Sequence, residues 1–268
     1  MNDAILEALG PVNWPLMALV MSRVAGLVMT APLWSLRFIP TQVRAGIALL
    51  MTLLMMPLVP ESAVPPAMGQ VAVLAVLAEL LLGLAIGLTA AVFLHALSVA
   101  AEVVSLQMGL SFGAAFGGPA DTGSPGIGQL YHQFTLAIYA VLGGHLMLMT
   151  GLAMSFRIVP PGVGMNLEGG VAHMIPVLGT VFSVAVQVAA PVIVALLVTN
   201  LALAVVNRAV PQLHTLMVAV PLTVAVGFLV IGATLPLTAG LVTRWVGGLE
   251  GGVADLLGRV APVAAVGR

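Results

Sequence analysis

Long apolar runs separated by short, turn-rich stretches set the pattern of this chain. The runs are Trp14–Trp34, Ala45–Val59, Val71–Ala101, Leu130–Phe156, Val171–Val206 and Thr215–Thr243. A helix that crosses a bilayer needs about 20 apolar residues. Four runs exceed that length by a useful margin, and Ala45–Val59 falls short of it. Pro176 and Pro191 interrupt the fifth run, and proline inside a helix kinks or breaks it. Between the runs, Pro60–Pro66 holds three prolines, while Gly117–Gly128 and Pro160–Gly170 are rich in turn formers. The pattern predicts an all-α, membrane-associated protein of three helical hairpins, with one longer loop near the middle. The Gly-rich tail, 246–268, reads either as a short amphipathic helix or as a frayed end.

Composition strengthens the membrane reading. Of 268 residues, 61% are hydrophobic and only 6% charged, with a mean hydropathy of +1.19. A soluble domain carries roughly 25% charged residues, so lipid or partner subunits must cover this surface. The net charge of −1 and the absence of a basic patch argue against nucleic-acid binding. The chain has no cysteine, which excludes disulfides and thiolate metal sites. All eight basic residues are arginine. On six simple spans, Arg37, Arg44 and Arg208 would face Arg157, Arg244, Arg259 and Arg268 across the membrane. The positive-inside rule requires an imbalance, so the runs are expected not to be six ordinary spans.

A few charged groups lie within the apolar runs. Arg23 is in the first run, Glu79 and His95 are in the third, and Glu102 ends it. Intramembrane charges are costly and are usually paired or functional. Two readings follow: a proton or ion path, or polar contacts to other subunits. Glu79 and His95 lie sixteen positions apart, about 160° around a helix, and cannot face each other on it. His132 and His145 are about 140° apart by the same geometry. No His-Glu-x-x-His pattern and no ligand spacing indicates a metal or any other cofactor.

Gly109-Leu110-Ser111-Phe112-Gly113 matches the G-x-S-x-G nucleophile elbow. That motif needs a preceding strand. A long helix is expected there, so the match is taken as chance and no enzymatic activity is inferred. The same segment repeats every four residues in two series. Gly109, Gly113 and Gly117 form a small-residue stripe, suited to close approach of helices. Met108, Phe112 and Phe116 form a soft apolar stripe beside it. If helical, the segment could be a re-formable seal in a conduit or an ordinary helix contact. Gly83 and Gly87 form a further small-residue pair, read as packing.

Four blocks then occur in order. They are Arg23 with Pro32, Pro40 and Arg44; Gly109–Gly113 followed by the loop Gly117–Gly128; Gly143-Gly144-His145 with Ser155-Phe156 and Pro160; and Asn207-Arg208-Ala209-Val210-Pro211-Gln212-Leu213 with Pro221 and Gly227. Together they resemble the flagellar biosynthetic protein FliR family, whose virulence counterpart is the T-type component of type III secretion export gates. The chain departs from the family pattern in three places: Pro119 precedes Asp121 where an Asp-Pro step is usual, His214 and Leu216 replace Asn and an aromatic, and Thr223 stands where a basic residue is common.

The resemblance implies a structural, channel-forming role in an export gate at the bacterial inner membrane, in the flagellar basal body. One copy would assemble with P-type and Q-type subunits into a helical ring. The B-type switch protein and the A-type gate protein would act beside it, and unfolded flagellar subunits would pass through. Residues 1–170 would correspond to a P-type-like region, 171–245 to a Q-type-like hairpin, and 246–268 to a tail. The loop at about 107–126, including Gly118, Pro119, Asp121, Gly123 and Pro125, would project into the lumen. Met108, Phe112 and Phe116 would seal it, with Gly109, Gly113 and Gly117 as its close-packing face. Asn207, Arg208, Pro211, Gln212 and Pro221 would form a family-specific turn. Arg23, Glu79 and Glu102 are expected to be buried charges paired between subunits. The competing reading is a stand-alone secondary transporter, which would need an internal repeat and convergent midplane polar groups; neither is evident in the sequence.

Overall fold

A computed structural model describes residues 13–36, 39–60, 63, 70–110, 127–209 and 215–261 of the protein. The regular elements among them are all helical. They are α1 (Trp14–Thr30), α2 (Thr41–Met55) continued by a 3-10 turn (Met56–Leu58), α3 (Gln70–Gln107), α4 (Ile127–Val141), α5 (Gly144–Ile158), α6 (Leu167–Ala209) and α7 (Thr215–Val260). Four segments are long and apolar enough to cross a membrane, or five if the bent pair α4–α5 counts as one. The protein is thus a multi-pass, all-α membrane protein.

Local chemistry explains the ends of these elements. Asn13 caps α1, its side chain accepting from the Leu16 N–H at 3.3 Å. The helix stops at Ala31, which is extended because a residue before proline, here Pro32, is disfavoured in the helical region. Pro40 starts α2 one turn ahead of the apolar run. The 3-10 turn then carries the segment to Leu58, so a stretch expected to be short reaches 18 residues. The run Leu130–Phe156 is not one helix. Gly143 adopts a left-handed conformation, φ 74°, and divides the run into α4 and α5. By contrast, Pro176 and Pro191 do not divide α6, which is assigned without a break. Up to Val260 the tail is helical, because α7 runs into it. The expected boundaries at 170 and 245 both fall inside helices.

The chain forms two compact units, each assembled from distant segments. The first comprises residues 1–91, 143–176 and 248–268. Within it, α1 packs on the first part of α3 at a crossing of small residues. A methyl group on Gly83 would overlap the Arg23 carbonyl oxygen, and one on Gly26 would lie 2.8 Å from the Leu84 nitrogen. Thr30 Oγ1 donates across this crossing to the Leu84 carbonyl at 3.2 Å, and Ser22 Oγ donates to the Val76 carbonyl at 2.8 Å. The end of α7 adds Leu249, Val253, Leu256, Leu257 and Val260, all buried. Their spacing is that of one apolar helix face.

The second unit comprises 92–142 and 177–247. Its core joins Ala100, Ala101 and Val104 of α3, Met108 in the turn after it, Ile127 and Tyr131 of α4, and the Ala185–Leu196 face of α6. Small alanines on facing helices permit close approach. The Trp245 ring stacks on Phe93 with centroids 4.5 Å apart. Tyr139 lies tilted beside the same indole at 6.1 Å.

Candidate functional site

The first unit holds a buried polar network around Arg23. Arg23 and Glu79 are 0% and 1% exposed, and Arg23 Nε donates to Glu79 Oε2 at 2.5 Å. Nη1 donates to Ser155 Oγ at 3.0 Å, and Nη2 to the Val159 carbonyl at 2.9 Å. The guanidinium also sits over the Phe156 ring, 4.7 Å from its centroid. Glu79 Oε1 accepts from the Gly162 N–H at 3.2 Å, in a turn where Gly162 has φ +82°. Ser155 Oγ in turn donates to the Leu152 carbonyl at 2.7 Å. The group therefore ties α1, α3, α5 and the turn after α5 together. The pairing lies within the chain, where contacts between subunits were expected for Arg23 and Glu79. The glycine crossing explains it, because helices that close can bring positions 23 and 79 into direct contact. Among the described residues, the two charges of this network are bonded to each other.

Arg44 has a comparable local task. Its Nη2 donates to the Leu36 carbonyl at 2.6 Å and the Ser35 carbonyl at 3.4 Å, closing the turn between α1 and α2.

In the second unit, α3 ends at the predicted seal. Gly109 has φ +77°. The Leu110 N–H reaches the Ser105 carbonyl at 3.2 Å, and the Gly109 N–H reaches the Leu106 carbonyl at 3.1 Å. This is a Schellman termination, which places glycine in the left-handed position. Gly109 thus stops the helix and cannot begin a helical packing stripe. Met108 is fully buried in the unit's own core. Its thioether lies where a side chain at Gly227 would go, and its carbonyl accepts from Thr223 Oγ1 at 3.3 Å. Met108 faces protein here, where a lumen-facing seal was expected, because the capping turn folds its side chain back against α7. Phe112, Phe116, Gly113, Gly117, Gly118, Pro119, Asp121, Gly123 and Pro125 lie outside the described residues, as do Pro211 and Gln212.

The remaining predicted positions are dispersed. Asn207 and Arg208 close the C-terminal end of α6, with Arg208 exposed, and Pro221 lies exposed in the early turns of α7. Glu102, expected to be buried by pairing with another subunit, is exposed in the isolated chain. It flanks a surface cavity of about 370 Å³ lined by His95, Ser98, Val99, Glu102, Val103 and Leu106. His132 joins this group, with Nδ1 3.3 Å from Ser98 Oγ and its ring 6.3 Å from that of His95.

Sequence reasoning missed a link between α6 and the tail in the first unit. His173 Nδ1 meets Asp255 Oδ2 at 2.9 Å, and Arg259 Nε donates to the same oxygen at 3.1 Å. Asn166 caps α6 through the Gly169 N–H at 3.0 Å, and its own N–H reaches the Val260 carbonyl at 2.9 Å. No sequence periodicity relates residues 82 positions apart. The amphipathic spacing of the tail was the available hint. Among the described residues, no group of three or more His, Cys, Asp or Glu side chains could hold a metal.

The fold and its buried network define a multi-pass helical membrane protein whose polar groups lock helices together. Comparison with known proteins places it more closely. Residues 14–248 match the profile of the family described as bacterial export proteins, family 1. The flagellar biosynthetic protein FliR of Escherichia coli K12 is 34% identical over 228 residues, 84% of each chain. That of Pectobacterium carotovorum is 31% identical over 227 residues, again 84% of each. That of Caulobacter vibrioides is 32% identical over 230 residues, 85% of this chain and 90% of the relative. The chain belongs to the FliR family of bacterial export proteins.

Proposed function

We propose that the chain is a structural, channel-forming subunit of the flagellar export gate in the inner membrane, and that it helps translocate unfolded flagellar subunits. The observation that carries this reading is the family match over residues 14–248, joined to the apolar surface the isolated chain leaves uncovered. Phe182, Val186, Leu201, Val205 and Leu229 are each more than 60% exposed. Such faces call for lipid or partner helices. P-type and Q-type subunits are the partners the family resemblance implies, with the B-type and A-type proteins at the cytoplasmic side. In this reading 1–170 is the P-type-like region and 171–245 the Q-type-like hairpin. A solute transporter is not favoured. The intramembrane Arg23 and Glu79 are spent on each other and on Ser155, Val159 and Gly162.

The loop at about 107–126 is the proposed lumen closure. Met108 and Gly109 serve as its anchored root, and Phe112 and Phe116 as the apolar seal, which closes a constriction by excluding water. Co-expression with P-type and Q-type partners is expected to yield one stable complex; a well-behaved monomer with solute uptake would overturn the reading. Phe112→Ala, or a shortened linker replacing 117–126, is expected to make cells that carry assembled gates permeable to small ions. Unchanged ion conductance would remove the seal from the proposal and leave the assembly role standing.

A further inference from the structure

Four residues in the second unit form a polar face on otherwise apolar helices. His95, Ser98 and Glu102 lie at i, i+3 and i+7 of α3, on one side of that helix, and His132 of α4 adjoins them through Ser98 and the His95 ring. Glu102 lies within the candidate span Ala72–Gln107, where the sole other charge is Glu79, already paired with Arg23. A carboxylate on so apolar a helix needs a counter-charge or water. Among the described residues no arginine or lysine pairs with it: the ion pairs there are Arg23–Glu79, His173–Asp255 and Arg259–Asp255. The adjacent open surface depression, formed by Val99, Val103 and Leu106 of the same helix, is apolar, with a carboxylate on its edge and an imidazole face beside it. A long side chain with an apolar stem and a cationic head fits that chemistry. The stem packs on the valines and leucine, and the head bonds the carboxylate.

We propose that the His95–Ser98–Glu102 face of α3 receives an arginine or lysine side chain from a helix of a partner gate subunit. The proposal rests on the gate-subunit reading above. A neutral helix face would fit any apolar partner. A charged one selects the partner that brings the opposite sign and the register that aligns it, since an unmatched charge at the contact is strongly unfavourable. Glu102 is therefore a specificity residue of assembly.

The test uses the full chain co-expressed with its P-type and Q-type partners, with a photo-crosslinking amino acid at Val99 or at Leu106. Crosslinks are expected to one partner helix, on peptides that contain an arginine or lysine. Glu102→Gln is expected to reduce co-purification of that partner about tenfold at unchanged abundance of the chain in the membrane, while Glu102→Asp largely restores it. Glu102→Arg is expected to abolish it, and an acidic residue at the crosslinked basic position is expected to rescue it. Crosslinks to lipid alone, or wild-type co-purification of both Glu102→Gln and Glu102→Arg, would overturn the proposal. Failure of the unmodified chain to assemble would instead overturn the gate-subunit reading.

Discussion

At the scale of single residues, Arg23 shows why a charge can persist in an apolar chain. Its guanidinium is fully buried, yet three of its N–H directions are bonded and one of its faces lies on an aromatic ring. The desolvation cost of a buried pair can cancel its attraction, so the pair is not simply a source of stability. Removing one partner is a different matter, because it strands the other charge. Arg23→Met or Glu79→Leu alone is expected to destabilise the first unit by about 3–5 kcal/mol. The double replacement is expected to cost much less than the two singles together. Thermal unfolding of the detergent-purified complex, run as a double-mutant cycle, measures this coupling; additive effects would show that the pair does not act as a unit.

At the scale of elements, glycine positions separate into kinds that look alike in sequence. A methyl group at Gly83 would strike backbone of α1, one at Gly227 would strike the flexible Met108 side chain, and one at Gly232 would meet nothing within 4 Å. Gly83→Ala is therefore expected to cost at least about 1–3 kcal/mol through overpacking. Gly227→Ala is expected to cost less, since Met108 can re-form, and Gly232→Ala to be neutral or stabilising by up to roughly 1 kcal/mol. Melting temperatures of the three variants should rank in that order, and a Gly83→Ala chain as stable as the parent would contradict the crossing described. The same contrast shows what was legible beforehand. Helix positions could be read from apolar runs, because burial in lipid or protein demands them. The break at Gly143 could not, since neither hydropathy nor spacing distinguishes a glycine with positive φ from one in a helix. The Arg23–Glu79 contact was half legible: both charges stood out, but their meeting depends on a crossing that only three-dimensional packing fixes. The helix-stopping role of Gly109 was hidden by a four-residue repeat that suggested continuity. Thr223, noted as a departure from the family pattern, gains its meaning from a carbonyl 115 positions away.

At the scale of the whole molecule, the units interleave along the chain. The first is not complete until residues 248–260 have been added to segments that end at 91 and 176. Those last residues bury Leu249, Val253, Leu256, Leu257 and Val260, place Val253 against Gly151, and supply Asp255 to the buried His173. A chain that stops after Gly247 would thus leave an apolar face of the first unit open and His173 without its carboxylate. Such a truncation is expected to lower the protease resistance of the first unit selectively, with cleavage between α5 and α6 appearing before any cut in α7. Asp255→Asn tests the polar part alone. It keeps the tail's apolar face and a hydrogen-bond acceptor for His173, so a loss of at most about 1 kcal/mol is expected, because Asp255 and Arg259 are half exposed. If the truncated chain resisted protease as well as the full one, the tail would be an appendage. If Asp255→Asn alone reproduced the truncation, the contact would be electrostatic at heart. The buried side chains argue for neither, because burial of several apolar groups outweighs one exposed ion pair.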